Sequence, residues 1–317
     1  MDELRSKVAQ MLNYSSASLS LCASPSEEAK VWSVQHVESE PIAWIKRHHS
    51  SEKASREVKA LREWGPILNA PSVLGQPDER TLLLSHVQGN PLSDMRDLHR
   101  VSADALGVQL ARLHSAPSID SDSLTLAQAL SLRIQSGLKT IEILLNDREG
   151  HASFLQLNDL HIEGVMRIKD LFQGGVFSPE TSEGIISLQR VPCHRDLHVE
   201  NVLTSGCHES QRFTLSVIDW GQSRADWWAA DWSSIWVNWR QHPVWRQQVW
   251  ERYWNYRNNL GNLSQSDANR SLYIALSLRC LGTFRWILNP HRDKRAQREV
   301  GQRGIFELEE LFRLPTE

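Results

Sequence analysis

The chain contains little cysteine. Its 317 residues include four, none of them in a C-x-x-C pair, namely Cys22, Cys193, Cys207 and Cys280. Cysteines that are few, far apart and without that spacing predict neither a disulfide framework nor a zinc ribbon. We therefore expect a protein of the reducing cytoplasm.

Long apolar runs and a large charge excess are also missing. No segment approaches the roughly 20 apolar residues that span a bilayer, and the opening MDELRSKVAQML carries charges of both signs instead of an apolar signal-peptide core. The formal net charge is only −3, whereas general nucleic-acid binding needs a basic surface. We expect a small-molecule partner, with no nucleic acid and no membrane; the sequence leaves the oligomeric state open.

The first part of the chain has strand-like patterns around one helix. KVWSVQHV (30–37) and PIAWIKRH (41–48) are rich in β-branched and aromatic residues and predict a hairpin. Residues 50–65 begin with serine caps and end at Gly-Pro, which is typical of a helix. RTLLLSHVQG (80–89) predicts another buried strand. Residues 1–88 are therefore expected to form a small β-rich lobe.

The hydrophobic period changes after this lobe. Apolar residues recur at helical spacing in residues 102–116, 126–145 and 160–173. A composition of 40% hydrophobic and 23% charged residues is enough to bury a sizeable core. The expected fold class is α+β with two lobes, in which residues 89–317 form a larger, mainly helical lobe.

The stretch VPCHRDLHVENVL (191–203) contains the most informative polar residues. His194, Asp196 and His198 alternate as in a metal site on an extended segment, but no other histidine or cysteine cluster supplies further ligands at a usual spacing. A transition-metal site is therefore disfavoured. An ordinary solvated loop remains the alternative for each residue taken alone.

A second spacing in the same stretch points to phosphoryl transfer. Asp196 and Asn201 form H-x-D-x-x-x-x-N with the preceding histidine, and Asp219 follows in VIDWG. Phosphoryl transfer needs a carboxylate to accept a hydroxyl proton, together with oxygen ligands for the magnesium ions that bridge nucleotide phosphates. The ordered set indicates a nucleotide phosphotransferase site.

CHRDLHVENVL and VIDWGQSRADWWAADWSSI together resemble the aminoglycoside phosphotransferase and choline kinase family, which is similar in fold to eukaryotic protein kinases. The resemblance extends from about residue 20 to about residue 240. It implies that Asp196 is the catalytic base, or at least orients the acceptor hydroxyl, and that Asn201 and Asp219 bind Mg²⁺. It also implies that His194 is a structural member of the loop that bonds towards the Asp219 segment, and that Asp231 braces the loop. A plain helix N-terminal carboxylate is the alternative for Asp231.

A cation is also expected near the nucleotide phosphates. Lys46, in the strand AWIKRH, is the candidate, and a lysine in an apolar strand needs a carboxylate partner. Glu57 on the following helix is the favoured partner and Glu52 is its competitor. A lysine that extends from an edge strand to solvent is the alternative. By resemblance, backbone groups at Ser85 to Val87 bind the purine of ATP or GTP.

The loop between the first two strands lacks glycine. Protein kinases cover the phosphates with G-x-G-x-x-G, but ASPSEEAK (23–30) contains none. The resemblance implies a substitute, since members of the small-molecule family often use serine and other polar residues in that loop, and Ser24 and Ser26 are then expected to supply hydroxyl and backbone donors. Glu27 and Glu28 are unfavourable beside phosphates unless they point away or bind a cation.

Tryptophan is concentrated in the last third, where ten of the 13 lie between Trp220 and Trp286. Trp228, Trp232 and Trp236 share a helix face, so they are either core residues or the wall of a substrate pocket. From residue 232 onward, 13 Lys and Arg stand against 8 Asp and Glu. This balance argues against a polycationic acceptor.

The expected activity is transfer of a nucleotide γ-phosphoryl group to the hydroxyl of a small molecule. Antibiotic inactivation is the leading role that the resemblance implies, followed by phosphorylation of a choline-like, sugar or amino-alcohol metabolite. A non-catalytic, pseudokinase-like binding protein is the competing class, favoured by the glycine-free loop and disfavoured by the polar set around Asp196. The interpretation as a protein kinase is weakened, because no A-P-E segment follows DWG in the sequence.

Overall fold

A computed structural model of the chain describes ten segments, which are residues 1–24, 30–36, 40–92, 98–118, 124–146, 157–174, 190–206, 213–257, 265–289 and 294–314. Ser26, Glu27 and Glu28 lie outside the described residues, and only the backbone of Ser24 is described. The chain divides into two compact units. The first comprises Met1–Ala116, Pro192–Arg224 and Gln247–Tyr256, and the second comprises Pro117–Val191, Ala225–Arg246 and Arg257–Glu317.

The first unit opens with an antiparallel five-stranded sheet in the order β1-β2-β3-β5-β4. Helix α1 precedes the sheet and helix α2 follows β3. The bounds are α1 Asp2–Leu12, β1 Leu19–Ser24, β2 Lys30–His36, β3 Pro41–Arg47, α2 Ser51–Glu63, β4 Val73–Asp78 and β5 Thr81–Ser85. The Ser50 hydroxyl caps α2 by accepting from the Lys53 N–H.

The two faces of this sheet pack against different groups. Val8 of α1 shares a buried apolar cluster with Ala43, Ile45 and Leu83 of the central strands. Because successive side chains of a strand point to opposite faces, Lys46 lies on the other face of β3. The apolar cluster with α1 therefore occupies one face, and Lys46 lies on the other, beside the buried Leu82 of β5.

A smaller sheet in the same unit lies next to the polar motifs of the sequence, because one of its strands directly follows the Asp196 loop and another precedes Asp219. Its order is β6-β8-β9, with β6 Asn90–Pro91, β8 Val202–Ser205 and β9 Thr214–Val217. The side-chain amides of Asn69 and Gln109 both donate to the Leu215 carbonyl, at 2.9 and 3.2 Å, and tie β9 to its surroundings. The sheet thus fixes the segment before β8 and the turn after β9. The first unit also contains helix α3, Arg100–Leu113.

The second unit is helical and has closely packed helices. A Cβ atom at Gly137 would lie 2.6 Å from Leu281, and one at Gly164 would lie 2.4 Å from Phe312, so these helix pairs approach closely because they carry glycine. The bounds are α4 Leu126–Asn146, α5 Asp159–Gln173, α6 Ala229–Asn238, α8 Gln265–Ile287 and α9 Lys294–Arg313. Three further elements have residues assigned to both units, namely β7 Val191–Cys193, β10 Arg224–Asp226 and α7 Pro243–Arg257.

Two buried ion pairs anchor α9. Arg246 Nη1 lies 2.7 Å from Glu310 Oε2, and Arg279 Nε lies 2.8 Å from Glu307 Oε1; both glutamate side chains are fully buried. A buried carboxylate is tolerated only when it is paired and hydrogen-bonded. The C-terminal helix is therefore held by charge as well as by apolar packing.

The α+β fold expected from the sequence is confirmed, with the antiparallel sheet in the N-terminal part and a mostly helical remainder. The observed elements lie within a few residues of the predicted ones. The division into lobes after residue 88 stays a prediction, since the compact units interleave along the chain. Within the described segments, no helix is long and apolar enough to cross a bilayer.

Candidate active site

Lys46 is paired with two carboxylates. Its Nζ lies 3.0 Å from Glu57 Oε1, 2.9 Å from Glu57 Oε2 and 2.6 Å from Asp219 Oδ1. The Lys46 side chain is 10% exposed and that of Glu57 only 1%. Glu52, the other candidate partner, is exposed and instead pairs with Arg56 on the same helix at 2.8 Å. We call Lys46, Glu57 and Asp219 the charge triad.

Burial and charge act against each other in the triad. Burial alone would lower the pKa of Lys46, but the carboxylates of Glu57 and Asp219 outweigh it and raise that pKa above its ordinary value. Burial alone would raise the pKa of Glu57 and of Asp219, but Lys46 holds both below the ordinary carboxyl range. All three groups are therefore charged at neutral pH, with one negative charge in excess.

Glu57 also contacts two groups outside the triad. Its Oε1 accepts a hydrogen bond from the backbone N–H of Trp220 at 3.2 Å, which links α2 to the turn Trp220–Gln222. Its Oε2 lies 2.6 Å from Nε2 of His48, a buried histidine just after β3. One carboxylate thus joins the strand, the helix and the turn after β9.

The loop around Asp196 is held by His194, which is fully buried. The Nε2 atom of His194 lies 3.0 Å from the Ile218 carbonyl oxygen, and its Nδ1 accepts from the Asp196 backbone N–H at 3.3 Å. Both ring nitrogens are therefore engaged by backbone groups, which is unlike a metal ligand in a H-x-D-x-H site. The arrangement links the Asp196 loop to the residue before Asp219.

Asn201 connects the same two segments. Its side-chain amide donates to the Asp196 carbonyl at 2.9 Å, and its own carbonyl accepts from the Ile218 N–H at 2.9 Å. Because the amide nitrogen is used in this way, Oδ1 is the remaining atom of that side chain for a cation. Asp219 is 47% exposed and Asp196 is 28% exposed, so both carboxylates are accessible to a ligand.

Two non-glycine residues at this site have left-handed backbone conformations. Arg195 has φ 71°, and Asp219 has φ 60° and ψ 72°. Such conformations cost free energy for residues with a side chain, and they persist where the surrounding structure holds them. One precedes Asp196 and the other is Asp219 itself, so the backbone is strained next to both carboxylates.

The segment predicted to bind the purine is partly engaged by its own sheet. The Ser85 N–H donates to the Ser72 carbonyl at 2.9 Å, and its hydroxyl accepts from the Ser72 N–H at 2.8 Å. Val87 is half-buried. Beside them, the Trp44 indole N–H donates to His86 Nδ1 at 3.0 Å. Trp44 is two residues before Lys46 and lies on the same face of β3.

The remaining candidates belong to the second unit. Asp231 and Trp232 are fully buried on α6, Trp228 is 1% exposed and Trp236 is 9% exposed. The Arg246 guanidinium lies 4.0 Å from the centre of the Trp236 ring. We call Trp228, Trp232 and Trp236 the tryptophan stripe. Their burial favours the interpretation that the stripe belongs to the core. The bracing role of Asp231 stays a prediction.

The sequence predicted the pairing of Lys46 with Glu57, but it did not predict that Asp219 joins them, that His48 contacts Glu57 or that Trp44 contacts His86. His48 carried a signal, since it is a polar residue two positions after Lys46 at the end of an apolar strand. The contact between Trp44 and His86 spans 42 residues and has no local signal. Backbone donors such as the Trp220 N–H cannot be recognised from residue types.

Solved structures of the same fold include three kinases of small molecules. The choline kinase of Cryptosporidium parvum Iowa II superposes with a TM-score of 0.63 at 13% identity, covering 98% of this chain and 92% of that one. An ADP-bound aminoglycoside phosphotransferase gives 0.57 at 15% identity, with 98% of each chain covered. A choline/ethanolamine kinase family protein of Mesorhizobium loti gives 0.59 at 16%, also with 98% of each covered.

These identities show a shared fold alone. A search of the curated proteins found no match. The profile of the family described as "Phosphotransferase enzyme family" matches residues 28–258, which is more than half of the chain and includes the charge triad and the Asp196 loop. This chain therefore belongs to the phosphotransferase enzyme family.

Proposed function

We propose that this protein transfers the γ-phosphoryl group of a nucleoside triphosphate to a hydroxyl group of a small molecule. The observation that carries the proposal is the charge triad. It lies in the same compact unit as the Asp196 loop, and His194 and Asn201 join that loop to the Asp219 segment through hydrogen bonds. Phosphoryl transfer depends mainly on positioning and on neutralising charge, which such a constellation supplies.

The charges of the triad suit a nucleotide bound with a cation. Lys46 provides one positive charge against the two negative charges of Glu57 and Asp219, so the site favours a further cation. Lys46 would bind phosphate oxygens, as the sequence analysis expects. Glu57 would keep the ammonium group in place, because it is buried and contacts Lys46 with both oxygens.

Asn201 and Asp219 are the residues proposed to hold Mg²⁺. Both offer oxygen atoms, which Mg²⁺ prefers, and the Asp219 side chain is exposed while Glu57 is not. When bound, Mg²⁺ neutralises charge on the phosphates. Both residues therefore fit the ion by ligand type, and Asp219 also fits it by exposure, whereas Asn201 is buried.

Asp196 is the proposed base. Its carboxylate would accept the proton of the substrate hydroxyl as that oxygen bonds to the γ-phosphorus and the bond to the nucleoside diphosphate breaks. The products are a phosphate ester, the nucleoside diphosphate and the proton on Asp196. His194 fixes the Asp196 backbone by accepting its N–H, so the carboxylate is delivered from a constrained loop.

The purine is proposed to lie beside Trp44 and His86, on the Lys46 face of the sheet. The rings of these two residues are nearly parallel, with an interplanar angle of 26°. Because His86 Nδ1 accepts from the indole, its Nε2 carries the hydrogen in the neutral imidazole and is a donor. Ser85 and Val87 remain candidates for backbone contacts to ATP or GTP.

The acceptor is proposed as a class only, a hydroxyl-bearing small molecule. An antibiotic and a metabolite such as a choline-like, sugar or amino-alcohol compound both belong to this class. The excess of Lys and Arg over Asp and Glu after residue 232 disfavours a strongly cationic acceptor. A cytoplasmic location belongs to the same proposal.

The first experiment is calorimetric titration of the purified protein with ATP and with GTP, each with and without Mg²⁺. We expect Mg²⁺-dependent binding of at least one nucleotide, after which hydroxylated antibiotics and metabolites are screened for a phosphate ester by ³¹P NMR. Binding of neither nucleotide would favour the non-catalytic alternative, for which the glycine-free loop of residues 23–30 is the sequence argument.

A substitution at Gly221 tests whether the triad must keep its geometry. A Cβ atom there would lie 3.4 Å from Lys46 Nζ, 3.4 Å from Asp219 Oδ1 and 3.5 Å from Glu57 Oε2. Gly221→Val adds further carbons to this space and is expected to weaken nucleotide binding about 10-fold in the same titration. Gly282→Val is the matched control, because a Cβ at that position would have no atom within 4 Å apart from its chain neighbours and the backbone of its own helix. Equal affinity of the two variants would contradict the prediction.

A further inference from the structure

His48 lies beside the charge triad and has no role in the proposed function. Its backbone N–H donates to the Arg80 carbonyl at 2.8 Å, which fixes the residue at the end of β3. Its ring Nε2 lies 2.6 Å from Glu57 Oε2, and the two side chains are 4% and 1% exposed. A buried imidazole therefore faces a buried carboxylate.

The short distance shows which atom carries the hydrogen. Two lone pairs repel each other at this distance, so Nε2 must bear a hydrogen when Glu57 is ionised. The ring N–H is not aimed straight at the oxygen, since the pair does not meet hydrogen-bond angles. The hydrogen on Nε2 nevertheless lies close to Oε2, and this donor helps to lower the pKa of Glu57.

Glu57 receives its three partners from different parts of the first unit. Lys46 contacts both oxygens, the Trp220 N–H contacts Oε1, and His48 contacts Oε2. Without His48, Lys46 would be the one group of these three that still contacts Oε2. In the proposed function, Lys46 must also bind the phosphate oxygens. A buried carboxylate that loses a partner is destabilised and reorients.

We propose that His48 is a positioning residue that holds Glu57 in the orientation that Lys46 and the Trp220 turn require. It acts through Glu57 and does not touch the nucleotide. When the Lys46 ammonium group binds phosphate oxygens, its contact with Glu57 weakens. His48 then remains, beside the Trp220 N–H, as a second hydrogen-bearing group in contact with Glu57. This inference rests on the proposed function for its effect on nucleotide binding.

The test uses two variants and a control in the full chain. His48→Leu removes the nitrogen donor, His48→Gln keeps one, and His49→Leu alters the adjacent exposed histidine. We expect His48→Leu to bind MgATP, or MgGTP if that is the preferred nucleotide, about 10-fold more weakly than the wild type. His48→Gln should recover most of the affinity, and His49→Leu should match the wild type.

A second measurement needs no nucleotide. The backbone N–H of Trp220 donates to Glu57, so its hydrogen exchange, followed by NMR on protein labelled with ¹⁵N-tryptophan, reports whether Glu57 stays in place. We expect faster exchange in His48→Leu and near-normal exchange in His48→Gln. The Trp227 N–H, which donates to Asp226 at 2.8 Å in the second unit, is the internal reference and should not change.

The outcomes separate this inference from the function on which it rests. A wild type that binds nucleotide, with His48→Leu binding equally well, overturns the role of His48 and leaves the phosphotransferase proposal standing. A wild type that binds neither nucleotide counts against the phosphotransferase proposal. In that case, unchanged exchange at Trp220 in His48→Leu would overturn the positioning of Glu57 as well, and faster exchange would support it.

Discussion

Replacing Asp196 with asparagine is expected to lower the rate of phosphoryl transfer at least about 100-fold, because the amide cannot accept the proton of the attacking hydroxyl. Nucleotide affinity should hardly change, since the backbone of Asp196, and not its carboxylate, makes the contacts to His194 and Asn201. Turnover with the acceptor found by screening and calorimetric nucleotide binding are the two measurements. The result would separate chemistry from binding at one residue.

Glu200→Gln is the control for Asp196→Asn. Glu200 is an exposed carboxylate four residues later on the same segment, and its backbone N–H donates to His198 Nδ1. The same loss of a negative charge there should leave turnover near the wild-type value. If Asp196→Asn turned over as fast as Glu200→Gln, Asp196 would not be the base.

Asp219→Asn, unlike Asp196→Asn, is expected to weaken nucleotide binding itself. The affinity measured in the presence of Mg²⁺ should fall about 100-fold. Partial burial opposes ionisation of the half-exposed Asp219 carboxyl, but Lys46 keeps its pKa below the ordinary range, so the carboxylate is charged at neutral pH and can bind a cation. Asparagine keeps the shape but removes the charge. Calorimetric titrations of nucleotide at several Mg²⁺ concentrations measure both the affinity and its dependence on the ion.

The matched control for Asp219→Asn is Asp104→Asn. Asp104 is a partly exposed carboxylate of the first unit whose cationic neighbour, Arg252, is 3.9 Å away. We expect no change in nucleotide affinity there, because exposed ion pairs contribute little. Mg²⁺-dependent binding that survives in Asp219→Asn at the wild-type level would remove Asp219 from the metal site.

Local sequence signals predicted the elements that carry the site. The alternation in β3 and the caps of α2 were enough to place Lys46 in a strand and Glu57 on the next helix, and the two side chains do meet. They meet because both positions face the same side, a property that the periods of the two elements determine. The contact between Lys46 and Asp219, 173 residues later, depends on the chain path. The motif predicted Asp219 only as a magnesium ligand and did not predict this contact.

The tryptophan stripe shows where periodicity stops being informative. A helical spacing identifies the residues that share a face, but it does not say whether that face meets other helices or a ligand. Trp228 and Trp232 were therefore open to both interpretations, and the structure buries them in the core. The contact between His48 and Glu57 was missed for a related reason, because no pattern of residue types encodes a distance between side chains.

The ion pairs of α9 bear on how the protein should be produced. The family match ends at residue 258, so a fragment trimmed to that border would look complete by alignment. Such a fragment would lack Glu307 and Glu310 and would leave the guanidinium of Arg246 without its carboxylate partner. An uncompensated buried charge is strongly destabilising, so expression of the trimmed fragment should give aggregated material. We therefore expect the helices beyond the alignment to be needed for this chain to fold, which soluble expression of the full chain beside the trimmed fragment would check.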